Sequence, residues 1–195
     1  MPPGTRDALL DAAEELLDSG GVDAVTLREV GRRAGVSHNA PYKHFASKEA
    51  LLAAVAAREL LRRRDKLAAT LAREEAPEVA LRGALKRYAQ WAVEYPQRFK
   101  LIYGRWTIES DDLTHAAHDA SEQLVDTVRA AQERGALPAG PPERVTALLR
   151  AVAHGAADLE AAGHLSPGGK GRSDAAGLVD DLLDHLDPRQ SRLRQ

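Results

Sequence analysis

At 195 residues, with 44% hydrophobic residues and a formal net charge of −2, the chain is sized for one protein of two subdomains sharing a core, and near-neutrality excludes a general nucleic-acid coat. The absence of cysteine rules out a disulfide framework or a thiolate metal site and fits a reducing cytoplasm. No segment approaches the roughly 18 uninterrupted apolar residues of a membrane span, and the start M-P-P-G-T-R-D has no signal-like apolar run, so a soluble, cytoplasmic protein that makes no use of a membrane is expected.

Leu9, Leu10, Ala13, Leu16 and Leu17 recur at helical spacing and predict a first helix from Thr5 to Ser19, stopped by Gly20-Gly21. The next stretch, Thr26 to Lys48, is the most informative in the chain. Thr26 with Glu29 three residues on makes a reciprocal capping box, and Val25 and Val30 sit where a hydrophobic staple packs. Val30 and Ala34 form the apolar stripe of this second helix, and Gly35 suits a left-handed stop. Ser37 is placed to cap a third helix, His38 to His44, rich in donors and nearly devoid of an apolar face. Two short helices joined through Gly35-Val36-Ser37 read as a helix-turn-helix.

A fourth helix is expected from Lys48, capped by Ser47, running past Arg64 toward Glu75; its alanine content suits a rigid connector. Pro77 precedes a helix over Glu78 to Glu94, and Pro96 starts a short one over Gln97 to Tyr103, ending at Gly104. Further helices are expected over Asp111 to Arg134, ended by Gly135, over Glu143 to Ala162, and over Asp174 to Leu186, before Pro188. The segment G-H-L-S-P-G-G-K-G-R-S-D between the last two reads as a mobile loop. With no strand pattern and no internal repeat, the expected fold is all-α: about nine helices, an N-terminal three-helix domain over residues 1–48 that carries the helix-turn-helix, and a second helical domain over 49–195.

Charge is unevenly spread. Arg28, Arg32, Arg33, Lys43 and Lys48 face Glu29 alone between Thr26 and Lys48, whereas the first helix sets Asp7, Asp11, Glu14, Glu15 and Asp18 against Arg6. A basic motif inside a neutral protein is the footprint of local phosphate binding.

The blocks A-L-L-D-A-A-E-E-L-L-D-S-G-G, V-T-L-R-E-V-G-R-R-A-G-V-S and Y-K-H-F-A-S-K-E-A-L-L, in that order and at that spacing from Leu9 to Val55, resemble the DNA-binding domain of the TetR family of bacterial transcriptional regulators. Gly31 stands where the family usually has alanine, and Asn39 and Pro41 replace a commoner glycine and leucine; Pro41 is expected near the fourth helical position, losing one early backbone bond. The pieces Y-A-Q-W-A-V-E-Y-P-Q-R-F-K-L-I-Y-G and A-V-A-H-G-A-A-D-L-E-A-A-G-H-L resemble the family's ligand-binding domain named for a Trp-His-Gly motif, with Ala153 in place of the tryptophan before His154-Gly155.

In the reading helix, Asn39 has the amide geometry that pairs with adenine N6 and N7. Lys43 and His44 can reach guanine edges or phosphates, and Tyr42 resembles the family tyrosine that donates to a phosphate, with core packing as its competing role. Thr26, Arg28, Ser37, His38, Pro41 and Lys48 complete the expected DNA-binding set, while Phe45 is expected in the core.

Apart from Tyr42 and Phe45, every aromatic residue lies between Tyr88 and Trp106. Trp91, Tyr95, Phe99, Tyr103 and Trp106, with His115, His118 and His154, form a candidate effector pocket, weighed against plain core packing for the rings. His115 and His118 are three residues apart but lack a clear third ligand, so no metal is expected. No phosphate loop or nucleophile elbow occurs, and neither enzyme activity nor a cofactor is expected.

The expected function is a sequence-specific DNA-binding repressor released by an apolar or aromatic small molecule. Its partners would be palindromic double-stranded operator DNA and a second copy of the chain, joined through the last two long helices, where Ala147, Ala151, Gly155 and Ala162 suit close packing. The alternative is a helical small-molecule- or metal-binding protein with a vestigial helix-turn-helix.

Overall fold

The computed structural model describes residues 4–73 and 76–189. Among these the chain is all-α, in the order α1 (Thr5–Ala24), α2 (Leu27–Arg33), α3 (Ala40–His44), α4 (Lys48–Leu71), α5 (Pro77–Glu94), α6 (Pro96–Tyr103), α7 (Asp111–Glu133), α8 (Pro142–Ala161) and α9 (Ala175–Leu186). The expected stop at Gly20-Gly21 is a kink: Gly21 alone leaves helical geometry, at φ 68°, and α1 resumes to Ala24. α4 ends at Leu71, and the expected extension to Glu75 runs into residues 74–75, outside the described ones, as do the first three residues of the N-terminal run.

Packing divides the chain into two compact units, neither contiguous in sequence. One comprises residues up to Arg62 together with Tyr95–His118; the other comprises Arg63–Glu94 and the residues from Asp119 on. The chain passes between them inside α4, between α5 and α6, and inside α7.

In the first unit the apolar face of α1 (Leu9, Leu10, Ala13, Leu16, Leu17) packs with Val25, Val30 and Phe45 and with Leu51, Leu52 and Val55 of α4. Leu101 of α6 and Trp106 beyond it cover the same core. Burying an aliphatic side chain in such a core contributes about 1.5–3 kcal/mol. These contacts give a helix as short as α2 a stability it would lack alone.

The second unit is built on α5, α8 and α9, which pack pairwise. α5 buries Leu81, Leu85 and Ala89, and its two partner helices bury mostly small residues, Ala153, Ala156 and Ala157 of α8 and Ala175, Ala176 and Val179 of α9. Small side chains let helix axes approach closely. Asp174 caps α9 by accepting from the Gly177 N–H at 2.7 Å, and the Ala175 N–H goes to Glu160 Oε2 at 2.6 Å. The glycine-rich segment before α9 is folded into successive turns, with Gly169 N–H on Ser166 O, Arg172 N–H on Gly169 O, and Leu165 buried.

Candidate nucleic-acid interface

The reading head is assembled from local bonds. Thr26 Oγ1 accepts the Glu29 N–H at 3.1 Å, closing the N-terminus of α2. The other half of the expected capping box is replaced: the Glu29 carboxylate takes Arg32 Nε at 2.9 Å and Nη2 at 2.5 Å. At the other end, Gly35 at φ 67° sends its N–H to Arg32 O (3.3 Å), and Val36 sends its N–H to Gly31 O (3.1 Å). That pair of bonds is a Schellman stop, with Val36 packed on the core behind it.

The third helix begins later than its sequence implies. Residues 37–40 form a turn, closed by the Ala40 N–H on Ser37 O at 2.9 Å, and Asn39 is the N-cap without a side-chain cap bond. Ser37 thus contributes its carbonyl rather than its hydroxyl. Pro41 falls in the first turn of α3, where its missing N–H costs no helical bond, and it is fully buried. Phe45 is buried as expected, whereas Tyr42 is 53% exposed and its ring lies 6.0 Å from that of His38.

Ser37, His38, Asn39, Tyr42, Lys43 and His44 therefore share the exposed side of the turn and of α3, with Thr26 and Arg28 exposed on and before α2. Lys48, half-buried, opens α4, where Ser47 Oγ accepts the Ala50 N–H at 3.1 Å. The basic footprint is smaller than residue counting implies. Arg32 is committed to Glu29, and Arg33 Nε to Glu15 Oε2 of α1 at 2.7 Å. Donors and a phenol on a short, outward-facing helix, backed by a packed core, have the chemistry that reads base edges and phosphates in a major groove.

Behind this face lies a network that residue patterns did not single out. The Glu14 carboxylate of α1, 8% exposed, accepts from Arg58 Nη2 at 2.5 Å, Arg62 Nη1 at 2.9 Å and Arg98 Nη1 at 3.1 Å. Arg98 also forks onto Asp18 at 2.7 and 2.5 Å, Arg58 reaches Asp11 at 2.8 Å, and Glu59 lies 3.7 Å from Arg62. Burial works against the Arg98 charge, but the bonds to Asp18 and the fields of Glu14 and Glu59 outweigh it and raise its pKa. The signal was there: Asp7, Asp11, Glu14 and Asp18 fall on one helical stripe, and Arg58 and Arg62 are one turn apart.

The residues of the expected effector pocket are spread over both units. Tyr95, Phe99, Tyr103, Trp106, His115 and His118 belong to the first, where Phe99 is buried, Trp106 packs on the head's core and Arg98 lies over the Tyr95 ring at 4.8 Å. His115 and His118 are exposed, and no cluster of three metal-ligating side chains occurs among the described residues. Trp91 and His154 belong to the second unit. There the Arg63 guanidinium lies 3.4 Å from the centre of the Trp91 ring and 5.2 Å from that of Tyr88, whose hydroxyl meets His154 Nδ1 at 3.0 Å. Burial lowers the His154 pKa, with Asp158 opposing and Arg150 assisting.

A capped helix, a glycine stop and an exposed polar second helix on a common core define a helix-turn-helix protein. A family model described as "Bacterial regulatory proteins, tetR family" matches residues 9–55, and one described as "Tetracyclin repressor-like, C-terminal domain" matches residues 81–186. The chain belongs to the TetR family.

Tetracycline repressor protein class D of Escherichia coli is 38% identical over 60 residues, covering 31% of this chain and 28% of that protein. The HTH-type transcriptional regulator BetI of Rhizobium meliloti (strain 1021) is 41% identical over 71 residues, 36% of this chain and 35% of that one. These matches therefore span only a minor part of either relative.

Among solved structures, a protein of unknown function from Rhodococcus sp. RHA1 is 30% identical with a TM-score of 0.79, covering 94% of both chains. Thermus thermophilus FadR, a TetR-family transcriptional repressor in complex with lauroyl-CoA, shares the fold at 20% identity and a TM-score of 0.63, covering 93% of this chain and 92% of its own. AibR, solved with isovaleryl coenzyme A and operator DNA, does so at 14% identity and 0.67, covering 95% and 99%. No described helix is long and apolar enough to cross a membrane.

Proposed function

We propose that the protein is a cytoplasmic transcriptional repressor that binds a palindromic operator as a homodimer and leaves it when a small molecule binds the second unit. The observation that carries this reading is the outward-facing set Asn39, Tyr42, Lys43 and His44 on a helix whose buried residue, Pro41, seats it on a packed head. It works by binding and conformational change rather than by catalysis, and needs no cofactor.

One short helix contacts too few base pairs for specificity, so two heads read half-sites about one helical turn apart. A surface for the second copy is available on α8, where Leu148 is 47% and Leu159 48% exposed, with Ala151 and Gly155 exposed between them. A Cβ added at Gly155 would meet nothing within 4 Å, leaving room for a partner helix. A boundary near residue 48 falls at the start of α4, inside the compact unit that also takes in the first part of α4 and Tyr95–His118.

The effector region is the aromatic group of Tyr88 and Trp91 with Arg63 and His154: rings for an apolar or aromatic body, polar groups for its orientation. Acyl-CoA ligands in fold neighbours support testing acyl thioesters first. Such a ligand releases DNA only by binding the released state more tightly than the operator-bound one.

The test is fluorescence-anisotropy titration of the protein on DNA flanking its own gene, at several salt concentrations, against a scrambled duplex. Specific, salt-dependent binding with dimer stoichiometry, reversed by an acyl thioester or another apolar ligand, is the expected result. Tight ligand binding with no preference over scrambled DNA would instead favour a ligand-binding protein whose helix-turn-helix is vestigial.

A further inference from the structure

Two residues of the head fit each other closely enough to bear on how the reading helix is presented. Gly31 lies in α2 and is buried; Pro41 lies in the first turn of α3 and is fully buried. A Cβ built on Gly31 would sit 2.7 Å from Pro41 Cγ and 3.3 Å from its Cδ. Those atoms belong to a closed ring that cannot swing aside as a flexible chain end could. Gly31 is itself held, because its carbonyl takes the Val36 N–H that completes the turn.

Adding one methyl at residue 31 therefore obliges α2 and α3 to separate. α3 has only five residues, and Pro41 is its buried one, so the displacement passes directly to Asn39, Tyr42 and Lys43. We propose that the Gly31–Pro41 contact is the positioning device that sets the depth and tilt of the reading helix, and with it the choice of operator. Both residues are buried, including Pro41, which the sequence places among the DNA contacts. They act through the helix they seat, and the inference rests on the DNA-binding reading of the protein.

Glycine to alanine inside a helix ordinarily stabilises, so the sign of the effect is itself diagnostic. The experiment compares the full-length protein with Gly31→Ala, Pro41→Ala and the double variant. Each is titrated by anisotropy on its operator, on singly substituted half-sites and on scrambled DNA, well below melting, with Tm read by circular dichroism.

Gly31→Ala is expected to lower Tm and to weaken operator binding about tenfold or more, a scale set by the loss of a base contact, while scrambled DNA is bound within about twofold, because phosphate contacts dominate there. In the Pro41→Ala background the same change should cost several-fold less, since the obstructing ring is gone. Should Gly31→Ala not fold, a folded double variant that binds the operator as well as Pro41→Ala carries the same conclusion.

Equal cost of Gly31→Ala in both backgrounds overturns the proposal. So does a lowered Tm with operator discrimination unchanged. Failure of the wild-type protein to distinguish operator from scrambled DNA would sink the DNA-binding reading as well, and is recognisable because it precedes any substitution.

Discussion

The two compact units handle charge in opposite ways. In the unit that holds the helix-turn-helix a carboxylate, Glu14, is buried at 8% exposure beneath Arg58 and Arg98 at 17% and 14%, with Arg62 closing the group. In the second unit the principal ion pairs, Arg82 with Asp180 and Asp184 and Lys86 with Asp180, lie nearer solvent. Burial raises the Asp180 pKa, but bonds from Lys86 and Arg82 overcome that and lower it. A buried ion group gains little net stability over apolar residues of the same volume, yet punishes loss of any member. A half-buried pair nearer solvent does less of both. The head thus trades tolerance for a fixed geometry among α1, α4 and α6, whereas the second unit relies on apolar packing of α5, α8 and α9.

The largest effect should come from Glu14→Ala, which removes the buried carboxylate shared by Arg58, Arg62 and Arg98 and should cost about 3 kcal/mol, the low end for a broken buried group because Arg58 and Arg98 keep Asp11 and Asp18, whereas Asp180→Ala should cost no more than about 1 kcal/mol. Urea unfolding of the two variants checks this, and equal costs would erase the contrast. Next in size, Asn39→Ala should relax base preference at one position in each half-site by about 1–3 kcal/mol. Lys43→Ala should instead weaken every sequence alike and flatten the salt dependence. Competition titrations against half-site variants separate the two, and identical profiles would show that α3 does not divide its labour.

The smallest effect concerns the second unit. His154 is held below its ordinary pKa of 6.5, chiefly by burial, between the Tyr88 hydroxyl, Asp158 and Arg150. The unfolded chain then binds the proton more readily, so stability present above about pH 6.5 falls as pH drops through the depressed folded value. Tm measured between pH 7.5 and 5.5 should decline more steeply for the wild type than for His154→Gln. Parallel slopes would mean that His154 is not coupled to folding.

What the sequence made legible was local. Thr26, Gly35, Ser47, Asp174 and the leucines of α1 act through bonds or periodicities spanning a few residues, so residue order alone located most of the helices. Legibility fell wherever partners were distant. Arg33 belongs by residue type to the basic footprint, yet its Nε is held by Glu15 of α1, and Glu14 reads in the sequence as one acidic residue among several. Gly31 and Pro41 looked like two separate local costs, a weak helix former and a lost bond. Brought together, they are one contact. The aromatic residues could be grouped by position in the chain, but nothing in that order separates a ring on the head's core, such as Trp106, from one beside Arg63, such as Trp91.

The interleaving of the two units has a consequence for biosynthesis. The head is encoded first, yet Arg98, Leu101 and Trp106, which complete its ion group and cover its core, lie dozens of residues downstream. A ribosome that has released only α1 to α4 has made a reading head whose Glu14 still lacks one of its cations and whose leucines still lack their cover. Domains generally fold as units as the chain emerges; here the head must wait for α6 and the residues just beyond it, so its core and ion group close only once the chain past Trp106 has cleared the exit tunnel.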